Sequence, residues 1–159
     1  MSQTPTRILF VCMGNICRSP AAEAVFLHRL ERAGIAGDFA IDSAGTGGWH
    51  AGGPADPRSR AEGERRGFTL DTPARQVETE DFDRFDLLVC MDLENAALLV
   101  DRGAPDEKVR LLLEWHPDEA IQEVPDPYYG GGDGFVYMYD LIEAGCDVLL
   151  EDLLTADEA

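Results

Sequence analysis

The stretch that decides the fold is ILFVCMGNICRSP, residues 8–20, close to the start of a chain of 159 residues. Its first five residues form an unbroken apolar run, which is typical of a strand buried on both faces of a parallel sheet. Gly14 and Asn15 follow, and both residue types tolerate the positive φ that a tight loop needs. A helical pattern begins at Ser19. The stretch therefore predicts a strand, a tight loop and a helix in direct succession.

Outward from this stretch, apolar runs alternate with helical patterns. Three further strands are predicted at residues 39–43, 85–91 and 108–113. The predicted helices are 19–33, one that begins at Pro57 after an Asp56 cap and ends at Gly67, one that follows an Asp92 cap and ends at Gly103, and 135–154. Strands separated by helices predict right-handed crossovers. We therefore expect an open four-stranded parallel sheet with helices on both faces.

The loop after the first predicted strand carries groups suited to a phosphate ester. In open sheets, ligands bind beyond the carboxyl ends of the strands. A strand-to-helix loop directs backbone N–H groups inward, and the helix N-terminus adds positive potential. Arg18 has a planar fork that matches two phosphate oxygens. The same field favours ionisation of the Cys12 thiol, and a thiolate is a strong nucleophile.

Cysteine followed six positions later by arginine is a weak signal by itself. The context strengthens it, because a buried strand precedes Cys12, a glycine lies in mid-loop, and a hydroxyl and a helix follow Arg18. The competing interpretation makes Cys12 a small buried apolar residue at a strand end. A metal site is a poor alternative, since Cys12 and Cys17 lack Cys or His partners at ligand spacing. We expect no metal and no cofactor.

Composition and charge limit the possible partners. The length predicts one domain over residues 1–159. The net charge is -18, and residues 76–159 hold 23 Asp or Glu against four Lys or Arg. Such a field disfavours nucleic acid and anionic membranes as partners. No secretory signal or membrane span is visible, so we expect a cytoplasmic protein with reduced thiols.

The loop resembles that of the low-molecular-weight protein tyrosine phosphatase family, whose signature is Cys-x5-Arg-Ser directly after the first strand. The resemblance continues, in the family's order, through Asp42-Ser43-Ala44-Gly45-Thr46, Asp56-Pro57-Arg58, Ala74-Arg75-Gln76, Cys90-Met91-Asp92 with Asn95, and Asp126-Pro127-Tyr128-Tyr129. It therefore spans nearly the whole chain. It implies the three-layer α/β/α fold of phosphotyrosine phosphatase I type and hydrolysis of phosphotyrosine in proteins.

The resemblance also implies roles for individual residues. Cys12 is the nucleophile, Arg18 clamps the phosphate, and the loop from Met13 to Arg18 (Met13, Gly14, Asn15, Ile16, Cys17 and Arg18) binds it. Asp126 is the general acid, because a phenolate leaving group needs a proton. Trp49, Tyr128 and Tyr129 wall the entrance and contact the substrate ring. A turn residue for Asp126 and ordinary partial burial for the aromatics are the structural alternatives.

Supporting residues follow from the same resemblance. Asn15 and Ser43 form a pair that holds the loop open, and Ser19 donates a hydrogen bond to the thiolate or caps the helix. Family members often have a histidine where this chain has Thr72. Cys17 resembles the second loop cysteine of some members and implies a reversible disulfide with Cys12 that prevents overoxidation. The alternative for Cys17 is loop packing.

Three other functions compete with the phosphatase hypothesis. An arsenate reductase shares this fold and loop but relays a disulfide through cysteines near the third strand, where only Cys90 lies. A catalytically silent phosphotyrosine-binding module would retain the loop without turnover. An interaction domain would use only the acidic surface. The retained cysteine, arginine and aspartate favour the enzyme.

Overall fold

The computed structural model describes residues 5–127 and 132–158. Its strands are β1 (Thr6–Cys12), β2 (Phe39–Gly45), β3 (Leu87–Cys90) and β4 (Val109–Leu111). They form one sheet in the order β2-β1-β3-β4, and every neighbouring pair is parallel. The predicted four-stranded parallel sheet is therefore confirmed. The chain passes from β1 to β2 on one side and then to β3 on the other, so the winding switches direction at β1.

Five α-helices surround the sheet in the described residues. They are α1 (Arg18–Ala33), α2 (Pro57–Arg65), α3 (Asp81–Arg84), α4 (Leu93–Asp101) and α5 (Gly132–Glu158). Short 3-10 helices lie at Ala36–Asp38, Asp106–Lys108 and Leu112–Trp115. None of the helices within 5–127 and 132–158 is both long and apolar enough to cross a membrane.

The predicted helix caps are present. Asp56 accepts a hydrogen bond from the backbone N–H of Arg58, and Asp92 accepts one from Asn95 at 2.8 Å. These side chains satisfy N–H groups that have no partner within the helix. Gly34 ends α1 with a φ of 75°, which an L-residue adopts only at a cost.

The helices cover both faces of the sheet, as predicted. One core contains side chains of α1 and α5, including Phe26, Leu30 and Ile142, packed against Phe10 of β1. The second core lies on the opposite face, where Leu99 of α4 packs with other apolar residues. The result is a three-layer α/β/α arrangement.

Some local predictions are wrong. The third strand begins at Leu87 rather than at residue 85, because Phe85 ends α3 by donating its N–H to the carbonyl of Asp81. A four-residue helix such as α3 has no apolar period that a sequence pattern reveals. The spacing of apolar residues in α4 predicts Leu93 and Val100 on its buried face, yet 54% and 39% of their surfaces are exposed. The spacing of apolar residues in α1 likewise predicts Ala33 on its buried face, and Ala33 is exposed.

Candidate active site

Residues 12–18 form a loop, and several of its carbonyl groups point away from its centre. Four of these carbonyls accept hydrogen bonds from surrounding segments: Cys12 from Thr46 N (2.9 Å), Met13 from Gly47 N (2.9 Å), Ile16 from Asp56 N (2.9 Å) and Cys17 from Ser59 Oγ (3.1 Å). In a trans peptide the N–H group lies opposite the carbonyl. The N–H groups of residues 13, 14, 17 and 18 therefore face inward, and α1 begins at the last of them. Inward N–H groups beside a helix N-terminus can bind an anion, and residues 12–18 are called the cradle from here on.

The Cys12 thiol lies at the floor of this cradle. Cys12 is the last residue of β1 and only 2% of its surface is exposed. Its Sγ atom accepts a hydrogen bond from the backbone N–H of Asn15 at 3.3 Å and lies 3.0 Å from Ser19 Oγ. A thiolate at this position can accept hydrogen bonds from both the Asn15 N–H and the Ser19 hydroxyl.

The Arg18 guanidinium is buried beside the thiol, and two hydrogen-bond acceptors fix its position. One of its terminal nitrogens donates to Asp92 Oδ2 at 2.6 Å and to the carbonyl of Val124 at 3.0 Å. Burial alone lowers the pKa of a guanidinium, but the charges of Cys12 and Asp92 outweigh it, so the pKa of Arg18 lies above its usual value. Arg18 therefore stays charged, and Asp92 combines this contact with its role as the cap of α4.

Asn15 adopts a left-handed conformation, with a φ of 57°. Its side-chain amide is held on every side. The Nδ2 atom donates to Ser19 Oγ at 2.8 Å and to Ser43 Oγ at 3.0 Å, and Oδ1 accepts from Arg75 N at 2.9 Å. These contacts compensate for the backbone strain of Asn15. They also place the predicted Asn15–Ser43 pair in direct contact.

The network continues to Glu23, a residue that the sequence analysis does not identify. Ser43 Oγ donates to Glu23 Oε1 at 2.6 Å, and Thr72 Oγ1 donates to Oε2 at 3.1 Å. Burial raises the pKa of this carboxyl group above its usual value. Glu23 follows Ser19 by four residues on α1 and so shares its face of the helix, which is the signal that the sequence offers for it.

A cavity of about 400 Å³ opens above the cradle. Its walls are formed by Cys12, Met13, Gly14, Ile16, Cys17, Arg18, Trp49, His50 and Asp126. The Asp126 carboxylate lies 3.6 Å from a terminal nitrogen of Arg18. Trp49 is 74% exposed, so its indole stands at the rim. Tyr128 and Tyr129, the other two predicted wall residues, lie outside the described residues.

His50 lines the cavity, and the sequence analysis leaves it without a role. Its ring lies against Gly14, where an added Cβ atom would come within 3.2 Å of the imidazole. A larger residue at position 14 would require the ring to shift by a few tenths of an ångström. In the sequence, the indication of this position is that His50 directly follows Trp49, which is predicted to lie at the entrance.

The other three cysteines have thiols whose pKa values are raised. Burial, to which the charge of Asp56 adds, raises the pKa of the Cys17 thiol, so it stays protonated near neutral pH. Burial also raises the pKa values of Cys90 and Cys146. Within the part of the chain that the structure describes, no three His, Cys, Asp or Glu side chains are grouped to hold a metal ion.

A thiol under an anion cradle, with a buried arginine and a carboxyl group at the rim, defines the class of cysteine-dependent phosphatases. Sequence comparison agrees with this class. Residues 7–158 match the profile of the family described as low molecular weight phosphotyrosine protein phosphatase. The chain belongs to this family, and it is an enzyme of the phosphoric monoester hydrolase class.

Individual relatives support the assignment. The chain is 49% identical over 150 residues, covering 91% of each sequence, to the low molecular weight protein-tyrosine-phosphatase of Streptomyces coelicolor. It is similar to the crystal structure of a protein tyrosine phosphatase from Entamoeba histolytica, with a TM-score of 0.91, 39% identity and coverage of 96% and 99% of the two chains. The structure of YfkJ from Bacillus subtilis gives a TM-score of 0.93 at 37% identity, covering 98% and 99%.

Proposed function

We propose that this enzyme hydrolyses phosphotyrosine in proteins, and small aryl phosphates, through a cysteinyl-phosphate intermediate. In this proposal Cys12 is the nucleophile, Arg18 the phosphate clamp and Asp126 the general acid and base. The observation that carries it is the convergence of these three side chains on one cavity, with inward-facing N–H groups between them. Inorganic phosphate and other oxyanions are expected to bind in the same cradle.

The first step transfers the phosphoryl group to sulfur. The Cys12 thiolate attacks phosphorus, and the bond between phosphorus and the phenolic oxygen breaks. Asp126 gives its proton to the departing phenolate, whose conjugate acid has a pKa of about 10. The backbone N–H groups and Arg18 bind the phosphoryl oxygens as their charge redistributes. Because Asp92 and Val124 already fix Arg18, its fork needs no reorganisation to meet the phosphate.

The second step releases the phosphate. Asp126, now ionised, accepts a proton from a water molecule that attacks the cysteinyl-phosphate. The bond between phosphorus and sulfur breaks, and the thiolate returns to its hydrogen bonds with Asn15 N and Ser19 Oγ. Support for this role of Asp126 comes from its place at the cavity, with 31% of its side chain accessible. Water and substrate can therefore both reach it.

The depth of the cradle favours an aromatic ester. The thiol is 2% exposed, whereas the Trp49 ring is mostly exposed at the rim. In this proposal the phenyl ring of phosphotyrosine extends from the cradle to the rim and packs against the indole, whereas the shorter side chain of phosphoserine leaves its phosphate above the thiol. We assign Tyr128 and Tyr129 to the opposite wall on the family resemblance alone.

The second cysteine of the loop has a proposed redox role. Oxidation of Cys12 to the sulfenic acid, followed by attack of Cys17 and loss of water, gives a disulfide that a thiol reductant reverses. Both residues line the same cavity. This protection is expected because the proposed nucleophile faces a cavity that peroxide can enter.

The test is a steady-state assay with p-nitrophenyl phosphate and with a phosphotyrosyl peptide, without added metal. Cys12→Ser should abolish turnover and retain phosphate binding. Asp126→Ala should slow phosphotyrosine by about 100-fold or more and p-nitrophenyl phosphate much less, since only the phenolate of tyrosine needs the proton. The matched control is Asp118→Ala, which removes an exposed carboxylate from the same connection and should leave both rates unchanged.

Three results would contradict the proposal. Full activity of Cys12→Ser would remove the nucleophile from residue 12, and equal losses on both substrates would remove the acid role from Asp126. A wild-type protein that binds phosphotyrosine without releasing phosphate in a single turnover would be a binding module.

A further inference from the structure

We propose that Arg75 is a positioning residue for the phosphate cradle. It lies outside the cradle and maintains the cradle's geometry by fixing the side chain of Asn15. The proposal rests on the function proposed above and adds to its site a residue that contacts the cradle without lining the cavity. Arg75 belongs to the Ala-Arg-Gln segment, residues 74–76, which none of the steps described so far uses. It does not line the cavity.

The main chain of Arg75 contacts both sides of the cradle. Its N–H donates to Asn15 Oδ1 at 2.9 Å, and its carbonyl accepts from Gly45 N at 2.8 Å. Val77 N then donates to the carbonyl of Gly45 at 2.8 Å, so residues 75–77 run beside the end of β2. Gly45 itself touches the cradle, because a Cβ atom there would lie 2.7 Å from the carbonyl oxygen of Met13. A shift of residue 75 would therefore reach the cradle directly.

The side chain of Arg75 is what anchors this main chain. Its two terminal nitrogens form a fork with the carboxylate of Asp81, at 2.9 and 3.1 Å. Asp81 is 0% exposed and also accepts a hydrogen bond from Glu78 N at 2.7 Å, so its carboxylate is held in one position. A bidentate fork to a buried carboxylate fixes both the distance and the orientation of a guanidinium.

Arg75 also connects this anchor to the second partner of Asn15. Its Nε atom donates to Asp42 Oδ2 at 3.2 Å, and Asp42 Oδ1 accepts from Ser43 N at 2.8 Å. Ser43 Oγ is one of the two acceptors of Asn15 Nδ2. One guanidinium thus holds the segment that binds Asn15 Oδ1 and the strand that binds Asn15 Nδ2.

The strain at Asn15 makes this control effective. A non-glycine residue with a φ of 57° relaxes if its side-chain contacts loosen. Relaxation would turn the N–H of Asn15 away from Cys12 Sγ and widen the cradle. A misplacement of about 1 Å at a reacting centre can cost on the order of 100-fold in rate.

The test compares Arg75→Met with Arg84→Met. Arg84 is the matched control because it also contacts Asp81, at 3.3 Å, but is a half-exposed residue of α3 with no bond to Asn15. At a temperature where both variants are folded, Arg75→Met should lower kcat for p-nitrophenyl phosphate by about 10- to 100-fold. Arg84→Met should stay within about twofold of the wild type.

A second readout does not depend on turnover. Inorganic phosphate should protect Cys12 from iodoacetamide, and the phosphate concentration for half-protection should rise about tenfold or more in Arg75→Met alone. If the wild type is protected by phosphate but hydrolyses nothing, the proposed function fails while this measurement still decides the role of Arg75.

A double-mutant cycle separates positioning from general destabilisation. In an Asn15→Ala background the Arg75→Met effect on phosphate protection should shrink to about twofold, because the contact through which Arg75 acts is gone. An undiminished effect in that background, or equal effects of Arg75→Met and Arg84→Met, would overturn the proposal. If Arg75→Met does not fold, Arg75→Lys replaces it, since lysine retains the charge but cannot form the fork. Wild-type behaviour of Arg75→Lys in both readouts would also overturn the proposal.

Discussion

Asn15 donates its side-chain Nδ2 proton to Ser19 Oγ over 2.8 Å, and this bond sets the direction of the Ser19 hydroxyl. Because the oxygen already accepts a proton, its own hydrogen must point elsewhere. The nearest acceptors are Cys12 Sγ at 3.0 Å and the carbonyl of Ala44 at 3.5 Å. The shorter distance and the negative charge of a thiolate favour the sulfur.

Removing this hydroxyl should slow the second chemical step. A hydrogen bond to a charged group contributes about 1.5–3 kcal/mol, so loss of this bond should cost roughly 10- to 100-fold. Sulfur leaves as a thiolate when the cysteinyl-phosphate breaks down, and Ser19→Ala should therefore lower kcat and reveal a burst. Rapid mixing with p-nitrophenyl phosphate measures this burst. About one equivalent of p-nitrophenol per enzyme should be released before the slow steady state begins.

Ser43→Ala is the comparison that identifies the cause. It removes the other acceptor of Asn15 Nδ2 but no donor to the sulfur. It should loosen the cradle and weaken phosphate binding without a burst. A burst of equal size in both variants would show that the loss arises from cradle geometry rather than from the hydrogen bond to Cys12.

The oxidation chemistry should depend on pH in a direction that Cys17 determines. Burial and the charge of Asp56 raise the pKa of this thiol, and only its thiolate form attacks a sulfenic acid. At a fixed dose of peroxide, the ratio of Cys12–Cys17 disulfide to Cys12 sulfinic acid should therefore rise as pH increases from 6 to 9. Mass spectrometry of the quenched, digested protein gives both products.

A substitution at Asp56 tests the cause of this pH dependence. Asp56→Asn removes a negative charge near Cys17 while keeping a side chain that caps α2 well. The disulfide fraction at each pH should increase in this variant. A ratio that is constant over the whole pH range would mean that deprotonation of Cys17 does not control the reaction.

Local sequence signals account for the parts of the site that lie close together in the chain. The unbroken apolar run before Cys12 predicts β1, and Gly14, Asn15 and the following helical pattern predict the cradle. Asp56 and Asp92 predict two helix starts through well-understood capping chemistry. Each of these inferences uses residues within about one helical turn of each other, where backbone preferences decide the structure.

The outer contacts depend on chain folding and could not be predicted in this way. Arg75 binds Asn15 across 60 residues of sequence, and no local pattern indicates that pairing. A carboxylate on a helix usually faces solvent, so the spacing of Glu23 from Ser19 does not by itself predict its contacts with Ser43 and Thr72. The sequence explains Asp92 as a cap and leaves a contact with Arg18 open, and the structure shows that its second oxygen accepts a hydrogen bond from that guanidinium.

Glu23 should make the stability of the fold depend on pH. Burial raises its pKa in the folded state, so the folded protein holds this proton more tightly than the unfolded chain, whose glutamate pKa is about 4.3. The free energy of unfolding contributed by this group is therefore highest at low pH and falls as pH rises from about 4.3 to the folded value. Glu23→Gln removes the titration, so the stability of the wild type relative to this variant should decline across that window and then level off. Urea unfolding at pH 4 to 8 measures it. Thr72→Val removes a donor that lowers the pKa of Glu23, so in this variant the decline in stability should extend to higher pH. Parallel curves of unfolding free energy against pH for the wild type and Glu23→Gln would show that this carboxyl group has the same pKa in the folded and unfolded states.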